Sequence, residues 1–475
     1  MKRLMLPLAL LAAIVIAGAI LIIPRSHRPQ ALAANYYVDT VRGNDSSAGT
    51  SPDRPWRTLA RVGRPEYRGG VTIRLRGGQR FSGTLQFTRS NLKGTTRTAG
   101  LTITSYGRGR ASIAAPPGGD GIAASNVAGI RIANIDVVGR RDGCTRVVGG
   151  YRTGSAGIRL EARGVHGTLD EGLTLAGVGV SGFCNGIVVA SDDDASRISH
   201  VRVTNVESHD NANAGLWTYD QANGRHSIRD VTVSRMRAYR NQRLGGIALF
   251  GVEGGTVERS VAFDNAGLAG GGAGMWAFDS RRILFRHNES YRNGRATLMD
   301  DGDGFDLDRG VSDSVLEDNY SHDNGGVGFL ICSCNGDEPA FYRMRHVTVR
   351  SNVSRNDGSS GQASLFVDGG QEPMAGVTIA SNRIESSAGD GPLIYVLGCY
   401  NCADSGVYTS ASFRGNTFIS RGGKQLLDVD PQSGTDATFR GNRWQAIGGP
   451  FRLRWGPRRL VTRDARRATA FAERR

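Results

Sequence analysis

Thr348-Val-Arg-Ser-Asn352, Thr378-Ile-Ala-Ser-Asn382, Ser412-Phe-Arg-Gly-Asn416 and Thr438-Phe-Arg-Gly-Asn442 are one short pattern written four times. Working outward, the position held by the Asn is traced back along the chain to Arg76, Tyr106, Ile135, Val178, Val206, Met236, Ser260, Asn288 and Asn319. Successive positions differ by 30, 29, 43, 28, 30, 24, 28, 31, 33, 30, 34 and 26 residues. A spacing this even marks one repeated supersecondary unit, and the single 43 marks an insertion around Cys144 to Arg163. Each unit then carries a polar turn, often with Asn, as at Asp210-Asn211, Asn241, Asp264-Asn265, Asn293 and Asp323-Asn324. A second strand headed by Gly follows: Gly215-Leu-Trp-Thr-Tyr219, Gly246-Ile-Ala-Leu-Phe250, Gly274-Met-Trp-Ala-Phe278, Gly304-Phe-Asp-Leu-Asp308 and Gly328-Phe-Leu-Ile-Cys332.

Strands this short cannot bury a core alone, whereas stacked coils bury a continuous one. Helical periodicity is absent, and propeller blades need about 40 to 45 residues per repeat. The pattern therefore predicts an all-β solenoid over residues 71–450. The Asn at 288, 319, 352, 382, 416 and 442 is expected to stack as a ladder, amide to amide.

Composition narrows the rest. Of 475 residues, 67 are Gly and 7% aromatic, without a three-residue Gly period, which excludes collagen-like and coiled-coil chains. Lys and Arg number 59 against 44 acids, a formal charge of +15 that suits polyanionic partners. Lys2 and Arg3 precede an apolar run from Leu4 to Ile23, and Ala31-Leu-Ala33 has signal-peptidase spacing, so residues 1–33 read as an export signal. The run is also long enough to remain as a membrane anchor. Removing it takes away Lys2, Arg3, Arg25 and Arg28 and no acid, lowering +15 by four to +11. A secreted, monomeric protein is expected, with a cap over 34–70 and a basic tail over 451–475 holding nine Arg against Asp464 and Glu473. Export, dispersed Arg and the lack of a recognised motif argue against nucleic acid as partner. Six cysteines suit disulfides in an oxidising compartment, with Cys144 and Cys184 placed to pair across the insertion. Cys332, Cys334, Cys399 and Cys402 read as disulfides or a zinc site.

Parity sorts the Gly-headed strands. Leu216, Ile247, Met275, Phe305 and Phe329 point inward, with Thr218, Leu249, Ala277, Leu307 and Ile331. The outward set begins with aromatics, Trp217, Tyr219, Phe250, Trp276 and Phe278, and continues with Asp306 and Asp308. Aromatic faces stack on sugars and carboxylates bind metal or move protons, so this face is expected to form a glycan groove. The alternative is that these aromatics are covered and form a satellite core. Asp306 and Asp308 share a face about 6.5 to 7 Å apart, at the short end of an inverting glycosidase's separation. Ser208-His-Asp-Asn211 and Ser321-His-Asp-Asn324 recur at equivalent places and read as turns.

Two stretches resemble a known group. Tyr36-Tyr-Val-Asp39, Gly43-Asn-Asp45, Gly49-Thr-Ser-Pro52 and Pro55-Trp-Arg-Thr58 look like the cap that begins many exported right-handed parallel β-helix proteins of the pectate-lyase type. Asp303-Gly-Phe-Asp306 is similar to the DGxD segment of family 9 polysaccharide lyases, whose carboxylates hold calcium. The resemblance implies a calcium site at Asp301, Asp303, Asp306 and Asp308, drawn from an acidic run that starts at Asp300, and β-elimination on an acidic polysaccharide or other cell-envelope glycan. It departs from the family at Gly302, at Ala273, and in the base, which is Lys there. With Lys93 and Lys424 far along the chain, Arg309 is the candidate base. Hydrolysis by Asp306 and Asp308, or glycan binding without catalysis, are the alternative expectations.

Overall fold

The computed structural model describes residues 35–473 except 97, 142–143, 145, 149–150, 221–223, 268–271, 295–300, 334–342, 370–373, 387–389, 399–408 and 431–435. The repeat is realised as three long sheets of 15, 13 and 14 strands, parallel except for the last strand of the third. One coil shows the plan: Ile228–Ser234 in the first sheet, Arg237–Tyr239 in the second and Gly245–Phe250 in the third. Because each coil repeats the last, equivalent residues become register partners, Thr348 with Thr378 and Ser412 with Thr438. Inward side chains from all three sheets, among them Ile247, Met275, Phe305 and Phe329, share one core running along the stack.

The corner between the first two sheets is a single left-handed residue followed by the ladder position. Arg235, His287, Asp318 and Ser381 hold φ of 51°, 54°, 53° and 57° there, and Gly415 and Gly441 supply φ of 60° and 62° without a Cβ penalty. The next residue's amide then reaches the coil above. The backbone N–H and Nδ2 of Asn288 both donate to Asn319 Oδ1 at 3.0 Å, and the pattern repeats through Asn352, Asn382 and Asn416 to Asn442. The predicted ladder is present.

A second ladder, which the sequence presents only as polar turns, lies at the next corner. Asn211, Asn241, Asn265, Asn293 and Asn324 are each at most 1% exposed and joined amide to amide. It ends on the carboxylate of Asp357, which accepts from Asn324 Nδ2 at 2.7 Å. The insertion is shorter than its sequence bounds, since Ala156–Ala162 is already a third-sheet strand. It carries an antiparallel pair, Arg146–Val148 with Tyr151–Thr153, tied down by a Cys144–Cys184 disulfide. Cys332 is also disulfide-bonded, which removes it from a zinc site, while Cys334, Cys399 and Cys402 lie outside the described residues.

Both ends of the solenoid are closed. Asn35–Val38 pairs with Thr72–Arg76 as the first strand of the first sheet, and buried Trp56 stacks on Tyr36 at 4.7 Å. The last residues are folded: Phe451–Trp455 joins the third sheet, Arg458–Thr462 returns antiparallel to it, and a helix spans Ala465–Ala472. Glu473 Oε1 accepts the N–H of Asn442 and so closes the first ladder. No helix among the described residues is long and apolar enough to cross a membrane, and the apolar run of residues 4–23 lies outside them.

Candidate functional site

The outer face of the third sheet changes character halfway along. Parity holds for every strand assigned from sequence: the inward residues join the main core, and Trp217, Phe250 and Trp276 form a separate cluster outside it. That cluster is closed. Trp217, Phe250 and Trp276 are 2%, 3% and 5% exposed, packed against Leu244, Ala248 and Ala273. Phe250 meets Trp276 edge-on at 4.6 Å, and the Trp276 indole N–H donates to Leu244 O at 2.8 Å. The expected open groove of five rings is therefore corrected to a satellite core, from which only Tyr219 and Phe278 keep partly exposed edges. The physical reason is mutual: rings of this size on adjacent strands cover one another.

In the next coil the same rows carry carboxylates. Asp303 is the register partner of Ala273 and Asp306 of Trp276, and both Asp residues are buried. Asp303 Oδ1 accepts the N–H of Val327 at 2.5 Å. Asp306 Oδ1 is buried and has no hydrogen-bond partner among the described residues. Burial pushes both carboxyls well above their ordinary range, with Asp301 adding to the shift at Asp303 and Asp308 to that at Asp306. Asp308, at the rim but hemmed in by protein, is raised to about 6 by the same desolvation, against the opposing pull of Arg309.

Asp368 completes this group and was not singled out from sequence. It is the register partner of Cys332, 4% exposed, and raised to about 7 by burial and then by the charge of Asp308. Cys332 Sγ lies 3.5 Å from its Oδ2. Its strand, Leu365–Asp368, follows Ser364 instead of a Gly. Applying the same parity to that strand without requiring the Gly would have found it.

Arg309 does not suit the role of base. Its guanidinium carbon lies 4.9 Å from the centre of the Phe278 ring, the placement of a cation over an aromatic face, and an arginine does not shed its proton in proteins. Asp300 lies outside the described residues. Among the described residues, no three His, Cys, Asp or Glu groups are placed to hold one metal ion. Asp303 Oδ1 is engaged by the Val327 N–H, while the charges of Asp301, Asp303 and Asp308 are felt within the group.

The fold and this face together define a right-handed parallel β-helix with a buried cluster of carboxyl groups on its third sheet. Residues 185–361 match the family model described as right handed beta helix region. A GH136 lacto-N-biosidase from Eubacterium ramulus has a similar solved structure, with a TM-score of 0.58 at 16% identity over 87% of this chain and 68% of that one. The A-module of the mannuronan C-5 epimerase AlgE4 from Azotobacter vinelandii gives 0.51 at 15%, over 78% and 88%. The Dettilon tailspike protein gives 0.50 at 12%, over 88% and 69%. No curated protein matches by sequence. At these identities the likeness is one of fold.

Proposed function

We propose that the protein cleaves a glycan by general acid–base hydrolysis on the outer face of its third sheet. The observation that carries this reading is the group Asp306, Asp308 and Asp368, carboxyls held in a low-dielectric setting and spread in proton affinity. Pairs of titratable groups whose surroundings push their pKa values apart are suited to acid and base roles. Asp306, the more strongly raised, is the proton donor to the leaving oxygen. Asp308, at about 6, is ionised at neutral pH and takes the proton of the attacking water. Adjacent same-face positions on a strand lie about 6.5 to 7 Å apart, within the roughly 6.5 to 9.5 Å of an inverting pair. The charge of Asp308 in turn raises Asp368, so proton binding at one carboxyl is felt at its neighbour. That structures of similar fold bear the names of a lacto-N-biosidase and a mannuronan epimerase supports a glycan as partner, and the basic chain favours an acidic one.

Elimination is the second reading, favoured by the buried, unpartnered Asp306 Oδ1. The deciding experiment incubates the protein with polygalacturonate, alginate and a neutral milk-type oligosaccharide, with calcium and with chelator. New reducing ends without ultraviolet absorbance from unsaturated sugars, unaffected by chelator, are expected. A calcium-dependent absorbance rise would replace hydrolysis with elimination, and neither signal on any glycan would leave a binding role.

A further inference from the structure

The C-terminal cap sets arginines against one another at positions where several other coils pair them with acids. On the outer face of the first sheet, arginines lie beside acids of the neighbouring coil: Arg286 with Glu258 at 2.7 Å, Arg350 with Glu317 at 2.5 Å, and Arg229, Arg281 and Arg282 all around Glu253. At these positions the stacking itself supplies the counter-ion. At the C-terminal end the register brings arginines together instead. Arg414 and Arg440 are register partners on adjacent strands, and Arg454 and Arg459 are partners in the closing hairpin. Like charges directly opposite one another destabilise a sheet. Arg466 and Arg467 occupy the first turn of the Ala465–Ala472 helix, the positive end of its dipole, and that turn holds no acid.

Three of the acids nearby are committed elsewhere. Asp428 pairs with Arg454, Asp464 caps the helix, and Glu473 closes the ladder. Among the described residues no ion pair joins Arg414, Arg440, Arg459, Arg466 or Arg467 to an acid. Five cations kept where the free chain disfavours them point to a negative partner. We infer that this cap docks a linear carboxylated polysaccharide.

The chemistry selects that partner over an anionic membrane. Helices that lie on bilayers present Trp, Phe or Leu to the lipid. Here Ala468 and Ala472 face the solenoid, and Val41, Ile447 and Val461 are the large exposed apolar side chains among the described residues. Every candidate contact is a guanidinium, whose fork matches a carboxylate bidentately. None of these residues belongs to the acidic face, so the inference stands apart from the hydrolase reading.

The test measures binding of size-fractionated polygalacturonate to the full chain at several salt concentrations. Binding is expected to weaken steeply with salt and to be at least tenfold weaker in the double reversal R466E/R467E. That variant is also expected to show a raised Tm, because acids suit a helix N-terminus. D308N is expected to bind as the wild type, which separates docking from hydrolysis. R459S, which relieves the opposition to Arg454 without touching the helix, is expected to weaken binding in the same direction, so the test survives a reversal variant that fails to fold. Absent binding by the wild type, unchanged binding in both variants, or tighter binding to phosphatidylglycerol vesicles than to polygalacturonate would overturn the inference.

Discussion

The two halves of the third sheet's outer face use the same backbone rows for opposite ends. Trp276 and Asp306 are register partners, one coil apart, and both are nearly out of water. For the indole that position is favourable burial. For the carboxyl it is a shifted proton equilibrium, since leaving water disfavours the charged form. The site is thus a change of residue type along an unchanged row, and the aromatic block that precedes it supplies the dry flank.

That comparison can be broken from either side. D308N should abolish the acidic half's chemistry, lowering kcat/KM on whichever glycan is turned over by about 10²- to 10⁴-fold, as expected for loss of a proton-transfer group. The wild type should also lose activity as pH falls through about 6, and a D308N profile that keeps that limb would remove Asp308 from the mechanism. W276A should act on the other half, costing about 3 to 5 kcal/mol of stability by urea titration while leaving the limb near pH 6 in place. N319A, in a corner remote from both, should cost about 1 to 3 kcal/mol, because it leaves the Asn288 amide without its acceptor in the core.

The smallest effect concerns pH and stability. Asp357 and Asp368 sit at about 6 and about 7 in the folded chain, above the ordinary value of about 3.9 in the unfolded one. The native state therefore holds protons that the unfolded state has released. Their stabilisation is complete below about pH 4 and is lost as pH rises through 6 and 7. The urea midpoint of the wild type should fall between pH 5 and 8 relative to the D357N/D368N double variant. Parallel curves would show that these groups are not raised.

The fold was legible because a solenoid writes its period directly into the chain. The Asn ladder from Asn288 to Asn442 and the break before Val178 follow from spacing alone. Side-chain parity also placed Trp217, Trp276 and Asp306 on the correct face. Parity says which way a side chain points and nothing of what lies over it, so the aromatic block read as an open groove when its rings cover each other. The second ladder was hidden because Asn is equally at home in an exposed turn and in a buried corner. Asp368 was missed because its strand begins after Ser364, not after a Gly.

Both ladders run one way: each amide gives its hydrogens to the oxygen of the following coil, and each ends on a carboxylate, Asp357 or Glu473, which has none to pass on. The structure therefore carries a direction and a terminus, as a polymer does. Duplicating a coil before Asn324 would add another giver and taker and lengthen the solenoid by one step. Duplicating the coil that holds Asp357 would set two buried carboxylates one above the other, so growth of this architecture by repeat gain is open toward its beginning and barred at that point.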